Sequence, residues 1–239
     1  MALEGAPDEL ALAGAEHLDP AYVAGYERKA QFDPTDDLME LRSHGLGSAS
    51  TIVDFGAGTG TFTRAAASHC RRVIAVDVSP VMVEALRFKV AEQRATNVHC
   101  VQAGFLSYEH DGEPVEFIYT RNALHHLPDF WKGVALRRLA SLLAPGGMLR
   151  LRDLVFSFGL DDAEARIAAW IDGAAAELAE DGWTRDELEA HVRDEYSTFT
   201  WLLEPLFERA GFEVVSADYA TEGAYAAYVC RRRPDKRTS

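Results

Sequence analysis

The first residues that could do chemistry form a glycine-rich turn after a short apolar run. Segment 53–61 reads Val-Asp-Phe-Gly-Ala-Gly-Thr-Gly-Thr, with Gly56, Gly58 and Gly60 at alternate positions. Glycines let the backbone approach a ligand closely, and the N-terminus of a following helix offers free N–H groups. Three glycines after a strand lower the stability of the fold, so they are expected only where the backbone has a further role. We therefore expect a polar adenosyl ligand at this turn.

The spacing of these glycines argues against a dinucleotide cofactor. A G-x-G-x-x-G fingerprint starting at Gly56 requires glycine at position 61, where this chain has Thr61. The third glycine comes one residue earlier, at Gly60. NAD and FAD are therefore disfavoured.

Asp77 ends the next apolar run and places a carboxylate beside the glycine turn. At that position it can accept hydrogen bonds from both hydroxyls of a ribose. Its alternative role is to cap the helix that follows. An acidic strand end does not by itself distinguish adenosylmethionine from NAD.

A second set of candidate side chains follows two later apolar runs, with Arg121, Asn122, His125 and His126 in one loop and Asp153 in another. Ligands of doubly wound sheets sit at the carboxyl ends of the strands, so these residues face the expected site. Either histidine can act as a general base, and we favour His125; the alternative is that one histidine stabilises the loop and the other faces solvent. Adjacent histidines without a third spaced ligand argue against a metal site.

The elements that must position these side chains alternate in type from Thr51 to Val155, which is typical of parallel strands joined by crossover helices. The predicted strands are Thr51–Phe55, Arg72–Asp77, Asn97–Gln102, Val115–Thr120 and Met148–Val155. The predicted helices between them are Gly60–Cys70, Pro80–Arg94 and Asp129–Leu143. The pattern predicts an α/β fold with a Rossmann-like, doubly wound sheet.

The flanking segments complete a single domain. Before the first strand, helices are predicted at Pro20–Gln31 and Pro34–His44. The stretch 156–211 is too long for one crossover helix, and it shows an apolar helical stripe around Trp170 and two further helices, 184–194 and 198–210. Two closing strands are predicted at Phe212–Asp218 and Ala224–Arg231. We divide the domain into N-terminal helices (1–48), a cofactor-binding core (49–155), a cap insertion (156–211) and a closing strand pair (212–233).

Composition and charge limit the partners. With 24 basic and 38 acidic residues the formal net charge is −14, which disfavours a nucleic-acid substrate. The basic cluster Arg231–Arg233, Lys236 and Arg237 is interpreted as a solvated tail. Three widely spaced cysteines argue against disulfides and structural zinc and are expected in the core. Met1–Glu16 has no basic signal region and no run reaches the length of a membrane span, so we expect a cytoplasmic protein without a membrane partner.

Four segments, in this order, resemble a class I S-adenosylmethionine-dependent methyltransferase. They are 54–60, Asp77, Asn122–Pro128 and Leu143–Gly147. Together they span about 100 residues, and this combination identifies the family far more specifically than the glycines alone. The resemblance implies a seven-stranded, mostly parallel sheet whose last strand is antiparallel. It also implies S-adenosylmethionine as the cofactor and S-adenosylhomocysteine as its product.

The resemblance also implies the parts of the cofactor site. The glycine turn would face the methionine part, Asp54 would lie near its amino group, Asp77 would hold the ribose, and Val78 and Met82 would pack on the adenine. The family's usual acidic residue after the third strand is glycine here, so the adenine amino group is expected to meet backbone groups and Phe105. The implied cofactor-binding residues are Asp54, Gly56, Ala57, Gly58, Thr59, Gly60, Asp77, Val78, Met82, Gly104, Phe105 and Asn122.

The acceptor side follows from the chemistry of methyl transfer. Displacement at a sulfonium requires that the acceptor be aligned behind the methyl carbon and that water be excluded. The catalytic candidates are His125, His126 and Asp153. The substrate-binding candidates are Tyr22, Tyr26, Arg121, Glu195, Tyr196 and Trp201. The aromatic residues among them either line an apolar pocket or form core between cap and sheet.

Several functions remain open at this point. The leading hypothesis is methyl transfer to a small molecule with an O, N or C nucleophile. A protein or peptide acceptor would need an open groove where a lid is expected. A catalytically silent adenosylmethionine binder would keep the glycine turn and Asp77 without a productive acceptor pocket. An NAD-dependent oxidoreductase is disfavoured by Thr61 and by the lack of a recognisable hydride-transfer constellation, and no metal is expected.

Overall fold

A central sheet carries the strands that end at the candidate site residues. The computed structural model describes residues 5–178 and 182–234. Its strands are β1 (Thr51–Phe55), β2 (Arg72–Asp77), β3 (Val98–Gln102), β4 (Val115–Arg121), β5 (Leu143–Phe156), β6 (Thr198–Phe199), β7 (Phe212–Tyr219) and β8 (Tyr225–Arg232). Along the sheet the order is β3-β2-β1-β4-β5-β8-β7, and the two-residue β6 pairs with β5 off this path.

Among the described residues every strand pair is parallel except the pairs of β8, which runs antiparallel to β5 and β7. The predicted Rossmann-like sheet with an antiparallel last strand is therefore confirmed, with β6 as an addition. Strands β1 and β2 have the predicted bounds, whereas β5 begins at Leu143 instead of Met148. The register of β4 against β5 shifts between Val115 and Phe117, which brings residues before Met148 into the strand.

Helices cover the sheet and its carboxyl edge. They are α1 (Glu9–Leu12), α2 (Pro20–Ala30), α3 (Thr35–Ser43), α4 (Thr61–Ala67), α5 (Pro80–Glu92), α6 (Asp129–Leu142), α7 (Ala163–Ala174), α8 (Arg185–Asp194) and α9 (Thr200–Ala210). Short 3-10 turns lie at Ala15–Leu18, Leu124–His126 and Leu160–Asp162. Helix α5 starts where Ser79 Oγ accepts the N–H of Met82, and α8 starts in a capping box of Thr184 and Glu187.

The core lies on both faces of the sheet. All five residues of β1 are buried, as expected for a central parallel strand. Alternate residues point to opposite faces, so Val53 and Phe55 pack with α6 and α9, while Ile52 packs with α3 and α4. Both apolar layers hold β1 in place, and the glycine turn follows directly from its end.

A buried polar cluster fastens α3 to the sheet. Asp37 is only 3 % exposed and accepts hydrogen bonds from Tyr119 Oη at 2.8 Å and from Arg150 Nε at 2.9 Å. Arg121 Nη1 lies 3.5 Å from the same carboxylate. Burial of these charges is tolerated because each has an opposite charge or a donor beside it.

The cap insertion has its own small core but covers the site only in part. Helices α7 and α8 pack around Phe156, Trp170 and Leu188. Helix α9 instead contacts α6 and the sheet through Leu203 and Phe207. The first part of the insertion therefore forms the lid, and the last part belongs to the sheet layer.

Two expectations on the rest of the chain are modified. Cys70 and Cys230 are buried, but Cys100 is only half-buried on an edge strand. Arg231 and Arg232 belong to β8 rather than to a free tail, whereas Lys236 and Arg237 lie outside the described residues, as do residues 1–4. None of the described helices combines the length and the apolar character that a bilayer crossing requires.

Candidate active site

The glycine turn has a backbone that only glycine allows. Gly56, Gly58 and Gly60 have φ of 69°, 54° and 88°, a region that side chains rarely adopt. A Cβ on Gly56 would collide with Ala123 Cβ, and one on Gly60 would collide with Leu86 Cδ1. The turn is thus packed tightly against the β4 loop and α5, and the N–H groups of Gly56, Ala57, Gly58 and Gly60 donate to the carbonyls of Val76 and Ala57 and to the carboxylate of Asp77.

Asp77 holds the turn from the end of β2. Its carboxylate accepts the N–H of Gly58 at 2.8 Å and the N–H of Ser79 at 2.9 Å. The residue that caps α5 is Ser79, so the alternative capping role of Asp77 is not what the structure shows. Burial raises the pKa of Asp77, although the two N–H donors oppose this rise. The carboxylate borders a cleft and is oriented before any ligand arrives.

That cleft, of about 90 Å³, contains the residues expected around adenosine. Those that line it are Gly56, Gly58, Asp77, Val78, Met82, Gly104, Phe105 and Asn122, and Phe55, which was not expected there, lines it as well. Ala57 and Thr59 line a second cleft. The other side of the adenosine cleft is formed by Glu9, Ala13 and His17 of the N-terminal segment, which sequence reasoning did not single out. Ser79 Oγ donates to the carbonyl of His17 at 2.6 Å and so fastens this segment across the cleft.

The carboxylate of Glu9 lies beside Gly104, where the loop after β3 lacks the acidic residue that the resemblance implies. Its carboxylate accepts the N–H of Leu106 at 3.0 Å and the hydroxyl of Ser107 at 2.9 Å. A Cβ on Gly104 would collide with this carboxylate. An acidic group therefore stands at the end of the cleft where adenine is expected, brought there by α1 instead of by the loop after β3.

A second cleft, of about 210 Å³, lies on the other side of the glycine turn. Asp54 borders it and accepts the hydroxyl of Thr63 at 2.5 Å. Burial raises the pKa of Asp54 to about 7, although the hydroxyl of Thr63 opposes this rise. A cationic group placed beside Asp54 would favour the ionised carboxylate, which suits the amino group of a methionine moiety.

A larger cavity, of about 470 Å³, lies between the N-terminal helices and the cap insertion. Its wall combines aromatic and acidic side chains: Tyr22, Tyr26, Trp170, Trp183, Tyr225, Glu16, Glu187, Asp194 and Glu195. No Lys or Arg is among the described residues that line it. Glu187 is paired with the buried Lys29, whose ammonium lies 4.6 Å from the ring centroid of Trp183. The wall of the cavity is therefore aromatic in part, and its acidic side chains include Glu187 and Glu195, which are paired with Lys29 and His125.

His125 is poorly suited to the role of general base that the sequence suggested. Its Nδ1 is hydrogen-bonded to Asp153, and its Nε2 lies 2.9 Å from Glu195 Oε2. Burial lowers the pKa of His125, but the charge of Asp153 and its hydrogen bond outweigh burial and raise it to about 9. With both nitrogens engaged and the ring protonated near neutral pH, this histidine has no lone pair to offer a substrate.

His126 is the histidine of the pair that borders both the adenosine cleft and the large cavity. Burial lowers its pKa to about 3, so the ring is neutral. Its Nδ1 lies 3.6 Å from Glu195 Oε2, and His191 Nδ1 lies 2.7 Å from the same oxygen. The sequence argument against a metal site was that the two adjacent histidines lack a third ligand; Glu195 stands in that position.

Tyr26 and Asn122 border all three cavities and so mark their junction. Asn122 has φ of 48°, and its Oδ1 is buried without a hydrogen-bond partner in the described part of the chain. A buried acceptor without a partner costs stability unless a ligand supplies a donor. The junction therefore fits a ligand that passes from the adenosine cleft into the second cleft and exposes its centre to the cavity.

The structure brings together most of the expected substrate-binding residues. Tyr22, Tyr26 and Glu195 line the large cavity, while Arg121 borders the two smaller clefts and stacks on Phe32. The side chains of Tyr196 and Trp201 are 41 % and 50 % exposed and line none of the three cavities, which corrects their expected role. Tyr196 contributes through its backbone N–H, which donates to the carbonyl of His125 at 3.0 Å.

The sequence of this chain is similar to a known protein family and to individual proteins. A family described as Methyltransferase domain matches residues 52–147. A protein of Geobacillus kaustophilus, named an uncharacterized methyltransferase, is 32 % identical over 213 residues, which cover 88 % of this chain and 89 % of that protein. A similarly named protein of Geobacillus thermodenitrificans is 29 % identical over the same length.

Solved structures share the fold. A putative methyltransferase of Bacillus halodurans has a TM-score of 0.64 at 15 % identity and covers 83 % of this chain and 100 % of that one. The phosphoethanolamine N-methyltransferase 2 of Haemonchus contortus, solved with S-adenosylhomocysteine, has a TM-score of 0.73 at 14 % identity and covers 97 % of this chain and 62 % of that one. These likenesses concern the fold of the described strands and helices.

Proposed function

The chain belongs to the class I S-adenosylmethionine-dependent methyltransferases, and we propose that it transfers the methyl group to a small-molecule acceptor held under its cap insertion. The observation that carries this proposal is the junction at Tyr26 and Asn122, where the adenosine cleft meets a separate cavity. A sulfonium at this junction presents its methyl group to whatever occupies the cavity. Alignment for displacement then comes from the walls of the cavity.

The cofactor would follow the carboxyl edge of the sheet. We place the ribose on Asp77, the adenine between Val78, Met82 and Phe105, and the methionine amino group near Asp54. The glycine turn, with Ala57 and Thr59, would let its backbone come close to the carboxylate end of the cofactor. The buried Oδ1 of Asn122 would then accept a donor from the cofactor.

The acceptor would be a small molecule. Two of the four acidic residues on the cavity wall, Glu187 and Glu195, are paired with Lys29 and His125, so the wall does not by itself select the charge of the acceptor. Helices α2, α7 and α8 cover it, which favours a small molecule over a protein segment. His126 would contact the acceptor, while His125 and Asp153 would hold the loop in place.

Filling the cavity tests this proposal. We expect Ala190→Phe to retain S-adenosylmethionine binding and to lower turnover by about 100-fold or more, because the acceptor can no longer be aligned. Calorimetry gives the cofactor affinity, and release of S-adenosylhomocysteine across a library of amines, alcohols and thiols gives turnover. The matched control is Ala168→Phe on the exposed side of α7, which should change neither.

Two results would contradict the proposal. Binding of NAD without binding of S-adenosylmethionine would exclude S-adenosylmethionine as the cofactor. Cofactor binding without turnover on any acceptor in the library, by the unmodified chain, would favour a catalytically silent binder.

Glu9 provides a prediction for the adenine end. We propose that its carboxylate accepts a hydrogen bond from the adenine amino group in place of the acidic residue missing at Gly104. Glu9→Gln should lower affinity for S-adenosylhomocysteine by about 10-fold or more, because a hydrogen bond to a charged group contributes about 1.5–3 kcal/mol. Calorimetry with S-inosylhomocysteine, which lacks that amino group, should show no comparable loss.

The matched control for Glu9 is Glu84→Gln on the exposed side of α5. It changes the net charge equally but lies outside the cleft. Equal losses of affinity for the adenosyl and inosyl compounds in Glu9→Gln would mean that Glu9 only supports the loop at Leu106 and Ser107.

A further inference from the structure

Three histidines approach one carboxylate oxygen on the wall of the acceptor cavity. Glu195 Oε2 lies 2.7 Å from His191 Nδ1, 2.9 Å from His125 Nε2 and 3.6 Å from His126 Nδ1. One ligand atom from each of His125, His126 and Glu195 lies within 4.8 Å of the others. These residues come from the loop after β4 and from the end of α8, which are far apart in sequence.

The contacts of Glu195 with His125 and His191 have the distances of ion pairs and compensate its charge. His126 Nδ1 is buried and has no hydrogen-bond partner in the described part of the chain. A buried nitrogen in this state costs stability. A positive ion between Glu195 Oε2 and His126 Nδ1 would give that nitrogen a partner, since a carboxylate oxygen and a ring nitrogen with a free lone pair are both metal ligands.

The groups behind these atoms orient them towards a common point. Asp153 accepts from His125 Nδ1 and from the backbone N–H of His125 at 3.0 Å, which turns Nε2 towards Glu195. His191 Nε2 is 2.8 Å from Ser197 Oγ, which turns its Nδ1 the same way. Metal-ligating histidines are commonly held by a carboxylate or hydroxyl on the other ring nitrogen.

We propose that His125, His126 and Glu195 bind a divalent transition-metal ion of the zinc type, and that His191 holds the carboxylate of Glu195 in position. Two imidazole nitrogens with one carboxylate oxygen suit Zn²⁺ and similar ions better than Mg²⁺ or Ca²⁺. Binding through His125 Nε2 displaces the proton from that nitrogen to solvent, while Nδ1–H continues to donate to Asp153. All three ligands line the cavity, and three protein ligands leave the fourth position of a tetrahedral ion open towards the acceptor.

The role of the ion rests on the proposed function, whereas its binding does not. An acceptor hydroxyl or thiol that coordinates the ion loses its proton to solvent more readily. Its lone pair then forms the bond to the methyl carbon, and the carbon–sulfur bond breaks with its electron pair going to sulfur. The site therefore favours acceptors that bind a metal as an alkoxide, phenolate or thiolate.

Zinc titration of the full chain after chelator treatment tests the site. We expect one Zn²⁺ per chain in calorimetry against a competing chelator. Both His126→Ala and Glu195→Gln should weaken binding by about 100-fold or more, since groups that only orient the ligands are worth 10–100-fold. His99→Ala, which removes an exposed histidine of β3, is the matched control and should leave the affinity unchanged.

A second measurement does not depend on whether the variants fold. Co²⁺ added to the unmodified chain should give a visible absorption spectrum of a four- or five-coordinate ion, and Zn²⁺ should remove it. The proposed metal site would be overturned if the unmodified chain did not bind Zn²⁺. It would also be overturned if the folded variants His126→Ala and Glu195→Gln bound Zn²⁺ as tightly as the unmodified chain. A chain that binds Zn²⁺ but not S-adenosylmethionine would contradict the proposed function and leave the metal site standing.

Discussion

Replacing Asp77 by alanine is expected to lower the affinity for S-adenosylmethionine by an order of magnitude or more, which corresponds to at least about 1.4 kcal/mol of binding free energy. The carboxylate is buried at the end of β2 and already held by two N–H donors. A ribose that binds there exchanges water for an oriented charged acceptor. Calorimetry on the folded variant measures the change.

The same change also removes the partner of the Gly58 N–H, so a loosened turn must be separated from a lost ribose contact. Analogues of S-adenosylhomocysteine that lack one ribose hydroxyl make this distinction. If Asp77 contacts the ribose, the unmodified chain discriminates against the deoxy analogues and Asp77→Ala does not. The exposed Asp161→Ala is the control for charge. Undiminished discrimination in Asp77→Ala would show that the ribose is held elsewhere.

Asp37→Ala is expected to give the largest loss of stability, about 3–5 kcal/mol of unfolding free energy. The change leaves Arg150 buried without its carboxylate and removes the acceptor of the Tyr119 hydroxyl. It also removes the polar contacts between α3 and the sheet. For a chain of this length the expected fall in melting temperature is about 6–20 °C, because each kcal/mol shifts it by about 2–4 °C.

Urea unfolding of Asp37→Ala and Asp36→Ala, side by side, checks this expectation. Asp36 is exposed on the same first turn of α3, so its replacement loses only the helix-dipole contribution of about 0.3–1 kcal/mol. A loss in Asp37→Ala no larger than that in Asp36→Ala would mean that the buried cluster does not stabilise the fold.

The parts of the site that depend on neighbours in sequence are predictable. Strands β1 and β2 are short segments rich in apolar residues, and the glycines between β1 and α4 are needed because of their positive φ. The position of Asp77 follows, since parallel strands that are paired end at the same edge. The exposure of Trp201 was also predictable. Leu203, Phe207 and Ala210 mark the buried stripe of α9, and position 201 lies outside that stripe.

The parts that depend on distant contacts are not predictable from local pattern. Helix α1 has only four residues, and Glu9 is placed by Leu106 and Ser107 rather than by its own helix. Glu195 meets His125 only because the insertion folds back and the N–H of Tyr196 donates to the carbonyl of His125. The one local hint is the spacing of His191 and Glu195, which places them one helical turn apart.

The segment from Glu9 to His17 acts as a strap across the adenosine cleft, attached at one end to Ser107 and at the other to Ser79. We expect a ligand beneath this segment to be released more readily when these two contacts are open. Their opening would then contribute to the rate at which spent cofactor is exchanged.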